Sequence, residues 1–201
     1  MEYAPLIITL KTAVVATVVT FFLGIGLALV VVRMRRFQGL ADAVITLPLV
    51  LPPTVIGFFL LLAFGHRSLI GKFLLQFDVT IVFTWKAAVM AAIVVSLPLM
   101  YRTARGAFEQ IDPNILGAAR TLGVSEWRIF WHILVLNARS GILAGLVLSF
   151  TRALGEFGAT IMFAGNIPGV TQTMSTAVYA AVQANDYGLA FDWAIVIVVF
   201  S

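Results

Sequence analysis

Arg152 and Glu156 lie four residues apart inside the otherwise apolar run 141–164. On a helix that spacing puts both side chains on one face, where they can pair. Charges at membrane depth are costly and turn toward protein or a water-filled cavity. Two roles fit. The arginine attracts a tetrahedral dianion while the glutamate holds it in position, or the two form an ion pair that fixes helix packing. Gly155 and Gly158 flank Glu156 and imply a bent or closely packed backbone, and Thr151 and Thr160 offer hydroxyl donors. Ser96 and Thr103 are weaker candidates for hydroxyls lining a path. Catalysis finds less support, because Glu156, Asp42, His66 and His132 make no recognisable catalytic constellation. No catalytic residue is assigned. The chain has no cysteine, hence no thiol chemistry, disulfide or Cys-based metal site, and its two distant histidines predict no metal centre. No Gly-x-x-x-x-Gly-Lys-Ser/Thr loop occurs, so the chain has no evident place of its own for ATP. Energy for pumping would come from a partner ATPase, an ion gradient, or neither.

The elements that hold these residues follow from composition. Of 201 residues, 61% are hydrophobic and 11% charged, against about a quarter charged in ordinary soluble domains. Such a chain buries its apolar surface in lipid. A helical span needs roughly 20 apolar residues. Runs 6–32, 44–64, 79–101 and 141–164 qualify, and 189–201 is a fifth run that stops while still apolar, so this last span is expected to continue past Ser201. Segment 171–184 makes a sixth if it inserts. The expected fold is all-α: one polytopic membrane domain over 1–201 with five or six transmembrane helices. Met1 to Pro5 lack a basic n-region, so 6–32 reads as a retained span and not as a signal peptide. Pro48, Pro52 and Pro53 each remove a backbone donor. They predict a kink in the second span, or a hinge about which part of a pore rocks.

Charge orients the spans. The net charge of +4 resides mostly in loops, where Lys and Arg mark the cytoplasmic side. Arg33, Arg35 and Arg36 fall in one loop, and Arg102, Arg105, Arg120, Arg128 and Arg139 in segment 102–139; the opposite side carries only Arg67 and Lys72. The N-terminus is therefore expected outside and segment 102–136 in the cytoplasm. Lys11 and Lys86 lie near the outer ends of their spans and are expected to snorkel.

That cytoplasmic segment is unusually structured. Asp112 suits a helix N-cap and Pro113 a first helical position. Gly123 suits the left-handed residue that ends a helix, and Ser125 with Glu126 the start of the next. A helix, tight turn and helix result, with Trp127 available as an aromatic anchor for a partner or as an interfacial belt residue. The pattern also matches a DNA-binding helix-turn-helix. Both of its ends run into spans within a few residues, however, so no recognition helix could enter a major groove, and no nucleic-acid partner is expected.

Gly117-Ala118-Ala119, then Gly123, then Ile133-Leu134-Val135-Leu136 resembles the signature loop of membrane subunits of binding-protein-dependent ABC importers: Glu-Ala-Ala, three residues, Gly, nine residues, Ile-x-Leu-Pro. Gly117 replaces the usual glutamate and Leu136 the usual proline. The small face and the glycine turn are retained. Pro48-Leu49-Val50-Leu51-Pro52-Pro53-Thr54-Val55-Ile56-Gly57, Leu97-Pro98-Leu99-Met100, Arg152-Ala153-Leu154-Gly155-Glu156-Phe157-Gly158-Ala159-Thr160 and Gly165-Asn166-Ile167-Pro168-Gly169 follow in order, and together they resemble molybdate-type permeases, with sulfate/thiosulfate permeases the nearest relatives.

The resemblance implies a permease subunit in the cell (inner) membrane that pairs with a second copy to form an oxyanion path. Two cytoplasmic ATPase subunits, which hold ATP and Mg, dock below, and an extracytoplasmic substrate-binding protein docks above. The chain itself would bind no cofactor. Gly117, Ala118, Ala119, Arg120, Leu122, Gly123 and Trp127 are then the residues that couple to the ATPase. Ser96, Thr151, Arg152, Glu156 and Thr160 line or gate the path, and Pro48, Pro52 and Pro53 form the hinge. The turn 166–169 and the polar stretch 171–186 become a surface for the binding protein. Molybdate is the expected cargo, with tungstate chemically equivalent. Sulfate or thiosulfate is the alternative within the family, and an ion-coupled secondary transporter the alternative outside it, although no convincing internal repeat of that class is visible.

Overall fold

The computed structural model describes residues 3–34 and 36–200, and these are helical with no strand. Helix α1 (Ala4–Arg33) and α5 (Trp85–Glu109) are long and apolar enough to cross a membrane unbroken. They pack along one another because both carry stripes of small residues. Ala13 and Ala16 of α1 cluster with Ala92 of α5, Gly24 lies against Met100 and Tyr101, and Ala28 clusters with Met100, Tyr101 and Ala104, and such stripes let helix axes approach closely in lipid. Thr20 of α1 and Ser96 of α5 hydrogen-bond across this seam at 3.2 Å, both fully buried.

The expected second span is not one helix. α2 (Gln38–Val50) and α3 (Pro53–Phe64) meet at 111°. The residue before a proline is pushed away from helical dihedrals, and here two in sequence obey: Leu51 has ψ 140° and Pro52 ψ 135°. Pro53 then starts α3 at a position where its missing N–H costs nothing. Pro48 lies inside α2. After a short α4 (Leu69–Leu75), α5 begins six residues later than the run 79–101 predicts and continues to Glu109, so Arg102 and Arg105 belong to its last turns and not to a loop.

Beyond α5 the anticipated pair of short helices is present as α6 (Pro113–Thr121) and α7 (Glu126–Arg128), the latter passing into a π-helical stretch (Ile129–Val135). α8 (Arg139–Leu154) leaves that stretch at 70°. It ends ten residues before the predicted span does. Gly155 and Phe157 take non-helical dihedrals, and the chain restarts as α9 (Gly158–Phe163). Segment 171–184 supplies α10 (Met174–Gln183), whose ten residues reach only about 15 Å, too short for a sixth span. Its start is tied to α1 by Thr9 Oγ1, which accepts from the Met174 N–H at 2.8 Å. α11 (Tyr187–Phe200) is the apolar fifth element.

α3 and α9 are held face to face by glycine. A Cβ at Gly57 would stand 2.7 Å from the Ala159 carbonyl oxygen and 2.8 Å from the Met162 Cβ. One at Gly158 would stand 3.0 Å from the Pro53 Cβ. The break in the second span and the break after α8 are therefore packed against each other.

Candidate functional site

Glu156 lies just past the end of α8 and not within a helix, yet it still meets Arg152. The Glu156 Oε2 to Arg152 Nη1 distance is 2.6 Å. No aligned hydrogen bond reaches Oε2, so the arginine meets it as a charge. The other oxygen, Oε1, accepts from the Ala159 N–H at 2.7 Å and so caps the start of α9, where negative charge is favoured. Glu156 is buried and Arg152 is partly exposed. One carboxylate thus joins α8 to α9, and of the two charged groups it is the guanidinium that solvent or an anion can still reach.

The other residues expected along a path separate into two sets. Thr160 is buried on α9, one turn beyond Glu156. Thr151 is half-buried, its hydroxyl turned back to the carbonyls of Val147 and Leu148. Ser96 sits elsewhere. It is buried in the α1–α5 seam, where its hydroxyl pairs with Thr20 of α1 at 3.2 Å and donates to the Ala92 carbonyl of its own helix at 2.7 Å. Thr103 likewise donates to the Leu99 carbonyl. Pro53, by contrast, is brought directly against Gly158. Pro53 and the Arg152–Glu156 site therefore belong to one locus, a convergence that sequence spacing does not reveal.

The second locus is the α6–α7 turn. Asp112 caps α6, its carboxylate accepting from the Asn114 N–H at 2.8 Å. Gly123 has φ +75°, the left-handed conformation in which a side chain would be strained. Val124 N–H then donates to the Ala119 carbonyl at 3.1 Å, closing the helix end. Arg120 spans the turn to Glu126 with two hydrogen bonds, 2.6 and 3.2 Å. These bonds hold the Glu126 carboxyl below its usual range, with a smaller Coulomb contribution from Arg120 and Arg33, and raise the Arg120 guanidinium. Ala119 is buried, whereas Gly117, Ala118, Leu122 and Trp127 are exposed, Leu122 at 82% and Trp127 at 71%. An exposed apolar surface on a rigidly braced turn is what a docking element presents.

One cluster escaped the sequence reading. Arg105 of α5 reaches Asp42 of α2 at 2.7 Å, Glu109 at 2.8 Å and the Tyr101 hydroxyl at 3.2 Å, fastening the start of the broken span to α5. Sixty-three residues separate Arg105 from Asp42, so only a knowledge of which helices touch could have paired them. Among the described residues no group of acidic or histidine side chains is arranged to hold a metal ion.

Comparison with known proteins agrees with this architecture. YvgM of Bacillus subtilis (strain 168), named for a molybdenum transport system permease, is 47% identical over 99% of this chain and 88% of its own length. The molybdenum transport system permease protein ModB of Escherichia coli (strain K12) is 45% identical over 90% of this chain and 80% of its own. The sulfate transport system permease protein CysT of the same strain is 36% identical over 96% and 70%. A crystal structure of an amino acid ABC transporter with histidines superposes with a TM-score of 0.58 at 20% identity, covering 96% of this chain and 89% of that one, and so shares the fold. The model of the binding-protein-dependent transport system inner membrane component matches residues 20–201. By that match and those identities, the chain belongs to the family of inner membrane components of binding-protein-dependent transport systems.

Proposed function

We propose that this chain is the permease subunit of an ABC importer for molybdate, with tungstate as an equivalent cargo. Two copies form the path, an extracytoplasmic binding protein delivers the anion, and ATP hydrolysis in two separate cytoplasmic subunits drives it. The N-terminus lies outside and the α6–α7 turn in the cytoplasm. The observation that carries this reading is identity of 45–47% to proteins named for molybdenum transport over nearly the whole chain, combined with an exposed, braced turn where an ATPase would dock.

Gly117 and Ala118 leave room for close approach on α6, and Leu122 and Trp127 supply the apolar anchor. Gly123 and the Arg120–Glu126 pair fix the angle between the two short helices. A thrust on this turn is transmitted into α5 and, through the π-helical stretch, into α8. At the far end of α8, Arg152 exchanges Glu156 for the passing dianion, and Glu156 keeps α9 seated when it is released. The α3–α9 contact lets the proline break move together with that site. A binding protein concentrates the cargo beforehand, so one reachable guanidinium suffices, and a tight cage would only slow release.

The test is uptake of radiolabelled molybdate into proteoliposomes holding this chain with its ATPase and binding protein. Uptake that requires ATP and resists excess sulfate is expected. Competition by sulfate at equal concentration would move the cargo to sulfate. Uptake by the chain alone, driven by an ion gradient, would overturn the ABC reading.

A further inference from the structure

A groove of about 320 Å³ runs between α1 and the π-helical stretch, with Phe22, Gly26 and Leu29 on one wall and Phe130, Trp131 and Val135 on the other. The position where a Gly26 side chain would begin has no atom within 4 Å, so the groove is open there. On α1, Phe22, Gly26, Leu29 and Arg33 recur every three or four residues and form one stripe, apolar until its last member. On the opposite wall Trp131 and Val135 line the groove, with Arg128 three residues before Trp131. An arginine thus flanks each wall: Arg33 is the last residue of α1, and Arg128 the last of α7, which leads into the π-helical stretch. Arg33 lies close enough to Glu126 to help keep that carboxylate ionised, but Glu126 is already bound by Arg120 at 2.6 Å. Among the described residues neither Arg33 nor Arg128 forms an ion pair. Trp131 packs edge-on against Phe130 at 4.9 Å and against Trp127 at 5.6 Å, an aromatic cluster.

We propose that this groove holds an acyl chain of an anionic phospholipid whose phosphate is bound by Arg33 and Arg128. The apolar walls take methylenes, and guanidinium groups bind phosphate oxygens through paired N–H donors. A zwitterionic headgroup brings its own ammonium, which the same arginines repel, so the site selects net negative lipid. The Trp131 indole in the groove matches the depth at which aromatic side chains gather in bilayers. A second protein copy could cover the apolar walls, but two unpaired arginines flanking them call for an anion, and charge complementarity decides for lipid. The lipid preference stands independently of cargo and coupling. Only its assignment to the cytoplasmic leaflet rests on the orientation proposed above.

The experiment uses the assembled transporter, stripped of lipid in detergent and then given equimolar phosphatidylglycerol and phosphatidylcholine with identical chains. Retained lipid per chain is measured by mass spectrometry. A preference for phosphatidylglycerol of roughly tenfold is expected, since two basic groups face the headgroup. The R33Q/R128Q variant should bring that ratio close to one, and Gly26→Leu, which fills the groove and spares both arginines, should lose the retained lipid. Equal retention of the two lipids by the unmodified protein, or an unchanged ratio in R33Q/R128Q, would overturn the proposal. So would retention of neither lipid with Gly26→Leu instead weakening self-association or ATPase binding, because the groove would then be a protein interface.

Discussion

Arg120–Glu126 and Arg152–Glu156 are chemically the same ion pair, each closed at 2.6 Å, in opposite surroundings. The first bridges a glycine turn with side chains 54% and 61% exposed; the second has an arginine 30% exposed and a glutamate only 2% exposed. Exposed pairs contribute little, because water and salt solvate each partner well without the other. A buried carboxylate that loses its partner is left uncompensated. The exposed pair therefore braces the α6–α7 turn at little energetic cost to the fold if lost, and the buried one is a junction that cannot lose either member quietly. That asymmetry separates a pair whose loss is cheap from one whose loss is costly.

The largest effect is expected at Arg152. Arg152→Gln strands a buried carboxylate and should destabilise the α8–α9 junction by about 3 kcal/mol, seen as a lower Tm and lost uptake. R152Q/E156Q should recover assembly and Tm while uptake stays lost. Recovery of uptake as well would reduce the pair to a packing device. Next in size is Gly57→Val, which drives a side chain into the Ala159 carbonyl 2.7 Å away. Overpacking of that kind costs about 1–3 kcal/mol and should displace α9, and with it Glu156, lowering both Tm and uptake.

Changes at the exposed end should leave the fold alone. Trp127→Ala should impair co-purification with the ATPase and coupled uptake while membrane insertion and Tm remain unchanged. Unaltered ATPase association and uptake would remove Trp127 from the interface. The smallest effect belongs to Arg120→Gln, with no measurable shift in Tm. Its pH signature has a definite sign. The Glu126 carboxyl is lowered in the folded chain, so the contribution of the pair is present above the ordinary carboxylate range and fades as pH falls through the folded value. ATPase association of the unmodified protein should accordingly be flat through neutral pH and weaken only in acid, and R120Q should abolish that acid limb.

Local signals made the α6–α7 turn legible in the sequence. Asp112, Pro113 and Gly123 act within a few residues of themselves, and the structure places each as its chemistry dictates. All-helical architecture was equally legible, since apolar length alone requires it. The breaks were harder. Leu51 and Pro52 announce a kink, but a bend of 111° depends on Gly57 finding Ala159 a hundred residues on. The run 141–164 reads as one span because its apolar character continues through the break, whereas the backbone stops at Gly155 and Glu156 is spent on capping α9. Ser96 shows the opposite failure: a hydroxyl in an apolar run signals a path or a seam equally well, and only the neighbouring Thr20 decides for the seam.

The most direct test is ATP hydrolysis by the chain reconstituted with its ATPase and with binding protein supplied empty, molybdate-loaded or sulfate-loaded. Stimulation by the molybdate-loaded form alone is the predicted result, and it should vanish in Trp127→Ala. An assembled complex whose hydrolysis no form of the binding protein stimulates would contradict the coupling role assigned to the α6–α7 turn.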